Sequence, residues 1–360
     1  PELYADLFPD HSPFDHPVAE LFSALPPGPK DARFASMPGS VDLAPVLAAV
    51  ISMGERSPVG LGSNNWVVKG TRTLSGKPLL ANDPHLELTL PSVWYLAHLK
   101  APGLHVSGAS LPGLPAVIIG HNERIAWGVT NTGPDVQDLY VESFHSRDPR
   151  KYLHNMEWVE AEVRDEVVKV RGKRDYHFTV KVTRHGPVVA ETGNRDLALR
   201  WSALEPHGLP FPFLKINQAR NWQEFASALR GFASPMQNFV YADVDGNIGF
   251  YAAGRIPIRK QGDGTLPSPG STEDYEWIGY VPFEDLPHAY NPASGIIATA
   301  NGRIVPDGYP YCIASKWEAP YRTARIYQLL EAGSRFTVAD MLRMQADIHS
   351  LEDQWLAKQL

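Results

Sequence analysis

The chain has 360 residues, 43% of them hydrophobic and 20% charged, with a net charge of −7. This is the composition of a globular protein, long enough for one large domain or two ordinary ones. The acidic balance and the lack of any run of five basic residues exclude nucleic acid and an anionic membrane surface as the main partner. No apolar run reaches the 18 residues that indicate a spanning helix, and the lone cysteine, Cys312, excludes an internal disulfide or a cysteine-based metal site.

Residues 1–62 carry dense Pro and Gly punctuation and little periodicity, as in PFDHPVAELFSALPPGPKDARFASMPGS. They read as a wrapping or linker segment with one short apolar helix over 41–53. The chain opens on Pro1 without a basic-then-apolar leader, which leaves room for a leader ahead of it.

From Ser63 onward the signals are mostly β. NNWVVKG, KPLLAND, HVSGASLPG, AVIIGHN, IAWGVTN and DLYVESF alternate apolar runs with turn residues. VVKVRGKRDYHFTVKVTRHGPVVA predicts a hairpin pair. NFVYADVDGNIGFYAAG predicts a hairpin turning at Asp245-Gly246. Helices are predicted over 91–100, 221–231, 320–331 and 337–347, the last capped by Thr337. Many strands and few helices imply an α+β or layered-sheet fold.

Several chemistries are absent from the sequence. It holds no HExxH, no GxxxxGK[ST] and no GxGxxG after a strand. The nearest approach to a GxSxG elbow, Gly108-Ala109-Ser110-Leu111-Pro112, fails at its last position. His85, His98, His105 and His121 are too irregularly spaced to read as a zinc site. Asp243-Val244-Asp245-Gly246-Asn247 imitates a calcium loop, but no glutamate closes it and a hairpin turn explains it better.

Gly62-Ser63-Asn64-Asn65 stands apart, a glycine, a hydroxyl and two amides at the mouth of the strand beginning NNWVV. A serine is a poor nucleophile without a base beside it. If the chain is cut after Gly62, the new α-amine sits on the same residue as the hydroxyl. With an ordinary pKa of about 7.7–8.0, that amine is partly neutral near pH 7 and can act as the base. Glycine at 62 leaves the backbone free while the hydroxyl attacks the Gly62 carbonyl. The plainer reading, an ordinary Gly/Ser/Asn turn, stays open on these residues alone.

GSNNWVV, LLANDPHLEL (79–88), LPGLPAVIIGHNERIAWGVTN (111–131), DLYVE (138–142), QNFVYADVDGNIGFYAAGRIPIR (237–259), IIATANGR (296–303) and YRTARIYQLL (321–330) together resemble the penicillin acylase family, in the same order, over roughly residues 61 to 350. Members are N-terminal nucleophile hydrolases. The resemblance implies a four-layer αββα sandwich. It also implies a first unit, residues 1–62, formed by the end of one subunit plus a spacer, and a second, 63–360, that bears the nucleophile and stops short of the family's usual length.

By the same resemblance Ser63 is the nucleophile, and Gly62 and Ser63 form the autoprocessing junction. Asn301 is the oxyanion donor, although Gly302 stands where many relatives have a second Asn. The Asn131 N–H is the backbone donor, with Thr132 the adjacent alternative. His85 matches the histidine of the cephalosporin and acyl-homoserine-lactone branch, there to hold the nucleophile in place. Arg322 matches an arginine that orients the oxyanion asparagine or the substrate. Turn and surface ion-pair roles remain the alternatives for His85 and Arg322.

The implied acyl pocket carries Leu86, Ile118, Ile119 and Val129. These aliphatic walls suit an alkyl chain, although ordinary core residues would look the same. No organic cofactor is implied. One structural calcium is, through Asp135, the Gln137 carbonyl and Asp138, yet Ile313 stands at another expected aspartate and a solvated acidic loop is the alternative. The implied partners are a small-molecule amide and the other subunit of a processed heterodimer, in a periplasmic or secreted location. The implied activity is removal of an acyl group from a β-lactam antibiotic side chain or an N-acyl amine such as an acyl-homoserine lactone. The rivals are an uncleaved or inactive relative acting as a binding module, and a peptidase-like or lactam-specific hydrolase of the same fold.

Overall fold

The computed structural model describes residues 12, 14–18, 61–191, 195–205 and 212–358. The helix expected over 41–53 and nearly all of the expected linker lie outside these residues.

Strand β1 (Gly62–Val68) is the centre of a three-stranded antiparallel sheet. Its neighbours are β2 (Leu79–His85) and a strand near the other end of the chain, Ile296–Thr299. A seven-stranded sheet packs against it. It contains β3 (Tyr95–Ala101), β4 (Leu104–Ser110), β5 (Ile119–Asn122), β6 (Ile125–Asn131), β7 (Gln237–Asp243), β8 (Ile248–Ala253) and β9 (His288–Tyr290), in the spatial order 9-8-7-6-5-4-3. The strand Ile296–Thr299 is β10.

Side chains alternate across a strand, and β1 uses both of its faces. Trp66 and Val68 join Ala81, Ile296, Ala298, Ile326, Leu330 and Met341 in one buried cluster. Val67 instead joins Val129, Phe239 and Val240 in the main core. Ile326 and Leu330 belong to the helix Tyr321–Ala332, so that helix covers the outer face of the small sheet. On the far side, Phe213 of helix α1 (Phe213–Gln218) and Phe225 of α2 (Trp222–Leu229) lie against Phe239 of β7 at ring distances of 6.5 and 6.2 Å. The helix Tyr321–Ala332 is α3. The order is therefore helices, small sheet, large sheet, helices: the αββα sandwich.

Two of the helices begin where a capping side chain dictates. Asn221 accepts from the Glu224 N–H at the start of α2. Helix α4 (Val338–Gln345) begins in a capping box between Thr337 and Asp340. A short helix, α5 (Leu351–Leu356), follows. The hairpin β7–β8 turns through Gly246 at φ 101°, and Asp243 Oδ1 accepts from the N–H groups of Asp245 and Asn247, so this aspartate organises a turn.

One element was misread. Residues 91–100 were expected to be helical, but Tyr95–Ala101 is a strand paired along its whole length with β4. The turn at Pro102-Gly103, with Gly103 at φ 76°, folds the two strands together. Cross-strand pairing overrode a local pattern that suited a helix.

A six-stranded sheet runs from Ser268–Pro269 through Gln137–Glu142, Asp196–Trp201, Gly186–Ala190 and Tyr176–Thr183 to Glu162–Val168. The hairpin expected over 167–190 is resolved as two: Glu162–Val168 pairs with Tyr176–Thr183, which pairs in turn with Gly186–Ala190.

Candidate active site

Ser63 is the second residue of β1 and is 9% exposed. By alternation it lies on the face of Asn65 and Val67, between the two sheets. Its Oγ donates to the carbonyl of its own predecessor, Gly62, at 2.7 Å. Its N–H donates to Asn301 Oδ1 at 2.7 Å. Those partners are 1 and 238 residues away. Among the described residues no histidine or carboxylate is hydrogen-bonded to the Ser63 hydroxyl.

Asn301 follows β10 and is held in the left-handed region at φ 66°, a conformation asparagine tolerates better than most residues. Its amide is used at both ends. Oδ1 accepts from Ser63 N and from Arg322 Nη2 at 3.0 Å, while Nδ2 donates to the Asn131 carbonyl at 2.7 Å. The carbonyl of Asn131 thus anchors Asn301. An amide nitrogen carries two hydrogens, so one remains after that bond is made. Asn131 ends β6 and is exposed, whereas Thr132, the adjacent alternative, is 2% exposed.

Arg322 enters from α3. Nη1 donates to the Ser63 carbonyl at 3.0 Å and to Asn64 Oδ1 at 2.8 Å. One guanidinium therefore fixes the carbonyl of Ser63, the side chain of Asn64 and the amide of Asn301. Burial pulls its pKa below the ordinary arginine value, with Glu318 and Asp83 opposing that shift. Gly62 leaves the space that Arg322 fills, since a Cβ there would lie 2.8 Å from Nη2 and 3.2 Å from Asn301 Oδ1.

His85 is drawn to the edge of this cluster. It pairs with Gly62 across β1–β2, but its ring lies 3.1 Å from Asp83 Oδ2 and 3.3 Å from Asn64 Nδ2. It therefore reaches Ser63 only through Asn64 and Arg322. The other histidines weighed as metal ligands divide. His98 and His105 bring their Nε2 atoms to 2.9 Å, with Glu123 on His105 Nδ1, whereas His121 bonds the Asn122 carbonyl. No group of three or more His, Cys, Asp or Glu able to hold a metal occurs among the described residues.

The four expected pocket residues are not gathered into one wall. Ile118 and Val129 are buried in the main core, Ile119 packs against it, and Leu86 is 40% exposed just beyond β2.

The residues expected to hold calcium do not fit it. Both oxygens of Asp138 are taken by Arg259, at 2.7 and 2.8 Å, and Trp277 Nε1 adds a third contact at 2.6 Å. Arg259 also donates to the Asp135 carbonyl at 2.9 Å. Asp135 Oδ2 is turned to the Ser315 N–H, and Gln137 is exposed. A guanidinium occupies the position between Asp135 and Asp138 that a cation would need.

A buried polar cross-link behind the site escaped the sequence reading. Thr130 and Thr299 share a hydroxyl contact at 2.8 Å, Thr299 Oγ1 donates to Asn65 Oδ1 at 2.6 Å, and Asn65 Nδ2 donates to the Asn238 carbonyl at 3.2 Å. The one available signal was the oddity of two amides after Ser63. Nothing local marked their partners.

The penicillin amidase family model matches residues 1–360. The chain is 34% identical over 364 residues to an acyl-homoserine lactone acylase of Pseudomonas aeruginosa, covering 96% of this chain and 41% of that protein. It is 34% identical to a penicillin acylase 2 proenzyme of a Pseudomonas species (90% and 42% covered) and 34% identical to a penicillin G acylase of Escherichia coli (76% and 33%). The chain therefore spans about two fifths or less of the length of these curated relatives. Among solved structures, the thermostable penicillin G acylase of Alcaligenes faecalis superposes with a TM-score of 0.71 at 28% identity, covering 78% of this chain and 51% of that one.

Proposed function

This chain belongs to the penicillin amidase family, and from that premise we propose that it is the nucleophile-bearing part of a self-cleaving amide hydrolase that works through an ester on Ser63. The observation that carries the reading is the pair of bonds at Ser63: its hydroxyl is 2.7 Å from the carbonyl oxygen of the bond to be cut, and its nitrogen is held by Asn301 at 2.7 Å.

In processing, Ser63 Oγ adds to the Gly62 carbonyl carbon, the hydroxyl proton passes to the Ser63 nitrogen, and the C–N bond breaks to leave an ester on Oγ and a free α-amine. Water then hydrolyses the Gly62 ester. The freed α-amine stays within reach of Asn301 Oδ1 and becomes the base that the intact chain lacks around Ser63. In turnover, Oγ adds to the substrate amide and its proton passes to that amine, then to the departing amine product. Water resolves the acyl ester. Asn301 supplies its remaining Nδ2 hydrogen to the oxyanion, with the Asn131 N–H as second donor. Arg322 keeps the Asn301 amide from rotating, so the donor is placed before the charge develops.

The substrate class is an N-acyl amine, either a β-lactam antibiotic side chain or an acyl-homoserine lactone. The alkyl preference expected from Leu86, Ile118, Ile119 and Val129 draws no support from their placement, since they do not share one wall, and a chromogenic amide series decides between alkyl and phenylacetyl groups. The segment before the cut is the end of the partner subunit plus a spacer. Phe14 lies 5.5 Å from Tyr321 and His16 stacks at 4.6 Å on Tyr327, contacts on α3 that can outlast the broken bond. No step runs through calcium. A periplasmic or secreted location belongs to the same proposal, with cell fractionation as its check.

Intact mass and N-terminal sequencing of the expressed full-length gene product test the reading. A chain beginning Ser63-Asn64-Asn65-Trp66 that hydrolyses chromogenic acyl amides is expected. A chain that stays whole through Gly62–Ser63 and is inert favours the binding-module alternative.

A further inference from the structure

We propose that Asn82 is a positioning residue: it clamps the strand that carries Asn131 to the strand that carries Ser63, and so sets the spacing between the nucleophile and its oxyanion partners. The proposal rests on the hydrolase reading above and adds a residue to it.

The pairing of β5 with β6 ends at Gly120 opposite Trp127. Beyond that point the backbone of Val129 is satisfied by a side chain. Its N–H donates to Asn82 Oδ1 at 2.8 Å, and its carbonyl accepts from Asn82 Nδ2 at 2.9 Å. The second Nδ2 hydrogen goes to the Asn64 carbonyl at 2.9 Å. One amide thus imitates a strand edge toward β6 while holding β1 one residue past the nucleophile. Its orientation is unambiguous, because the flipped amide would set its oxygen against two carbonyls and its nitrogen against an N–H.

Gly128 makes this approach possible. A Cβ there would lie 2.8 Å from Asn82 Cβ and Oδ1. The clamp spans a short path: Asn64 follows Ser63, and Asn131, whose carbonyl anchors Asn301 Nδ2 at 2.7 Å, lies two residues after Val129. No other side chain of similar size serves both strands. Aspartate would oppose carboxylate oxygen to the carbonyls of Asn64 and Val129, and alanine would leave the Val129 N–H and C=O without a partner. The Thr130–Thr299–Asn65 link is separate, so the two sheets remain tied when the clamp is removed.

The test uses the full-length gene product as wild type, Asn82→Ala and Gly128→Ala, with Leu229→Ala as a stability control. Leu229 is the fully buried last residue of α2, the helix that packs on the large sheet and not on the small sheet that carries Ser63. Three quantities are read: the rate at which the Ser63 terminus appears, kcat and KM of the matured enzyme, and hydrogen exchange at the Val129 amide. Expected for both clamp variants are fast Val129 exchange, slowed maturation, and a kcat lower by about 10²-fold with KM little changed. Leu229→Ala is expected to lower Tm and leave kcat alone. A kcat loss in Leu229→Ala matching that in Asn82→Ala, or an Asn82→Ala enzyme with wild-type kcat, overturns the clamp while leaving the hydrolase reading intact. An inert, uncleaved wild type overturns the hydrolase reading and the proposal with it, whatever Val129 exchange shows.

Discussion

Gly62 and Arg322 are in such close contact that no side chain fits between them: a Cβ on the glycine would come 2.8 Å from Nη2. A flexible arginine could ordinarily move aside. This one is tied to the Ser63 carbonyl, Asn64 Oδ1 and Asn301 Oδ1, so yielding space breaks the bonds that hold Ser63 and Asn301 in place. Gly62→Ala is therefore expected to fold and to mature at least about tenfold more slowly, the change produced by 1.36 kcal/mol of lost positioning. Time-resolved intact mass measures it, and maturation at the wild-type rate would count against the contact.

Arg322→Lys keeps the charge and loses the fork, because an ammonium cannot serve three acceptors in that planar arrangement. The Asn301 amide then keeps only Ser63 N on its oxygen side. Steady-state kinetics of the matured variant should show kcat down by about 10- to 100-fold with KM nearly unchanged. A change confined to KM would instead assign Arg322 to substrate binding.

Asn301→Ala and Asn301→Gly both remove the proposed oxyanion donor, and each should lower kcat by about 10²–10³-fold. They should differ in stability. Position 301 sits at φ 66°, which glycine adopts freely and alanine does not. Alanine should be the less stable by about 1 kcal/mol in denaturant unfolding. Equal stability would mean the backbone relaxes out of the left-handed region.

The extended sheet carries a pH-dependent anchor. Glu276 meets His185 at 2.8 Å and Arg200 at 2.8 Å, and it pairs with Arg184, while Glu142 holds the other nitrogen of His185 at 2.7 Å. Burial by itself would raise the Glu276 pKa, but the His185 bond and the charges of His185 and Arg184 outweigh it and hold the pKa at about 2, down from 4.5. A depressed carboxylate stabilises the fold above its unfolded pKa and loses that contribution as pH falls through the folded one. The expected window is thus from about 4.5 down to about 2. Its size is on the order of 2–3 kcal/mol, reduced somewhat because the side chain is 19% exposed. Glu276→Gln should be less stable at pH 7 and show a flatter acid limb between pH 5 and 2. Parallel acid limbs in the two proteins would remove Glu276 from this role.

Arg259 and Asp138 are 4% and 6% exposed at the side chain. Arg259→Met strands a buried carboxylate and should cost about 3–5 kcal/mol. Because the guanidinium already neutralises Asp138, a chelator should leave the wild-type Tm where it was. A fall of several degrees on chelation, restored by calcium, would show that these residues accept the metal after all.

The sequence by itself determined what depends on near neighbours. The β7–β8 hairpin followed from Asp245-Gly246 and its flanking alternation. Helix α4 followed from Thr337 and the periodic residues behind it. The oddity at Gly62-Ser63 followed from the chemistry of a hydroxyl next to its own amine. Family resemblance then carried Asn301 and Arg322, which spacing could not have found. Tertiary structure alone decided the rest. Residues 95–101 became a strand because β4 pairs with them. His85 turned to Asp83 and Asn64, and Asp138 turned to a guanidinium 121 residues away. Asn82 acquired its partners only when β2 was laid across β6. Hydrogen bonds and ion pairs between distant segments leave no periodic trace in a chain, because their geometry exists only after the two sheets have packed.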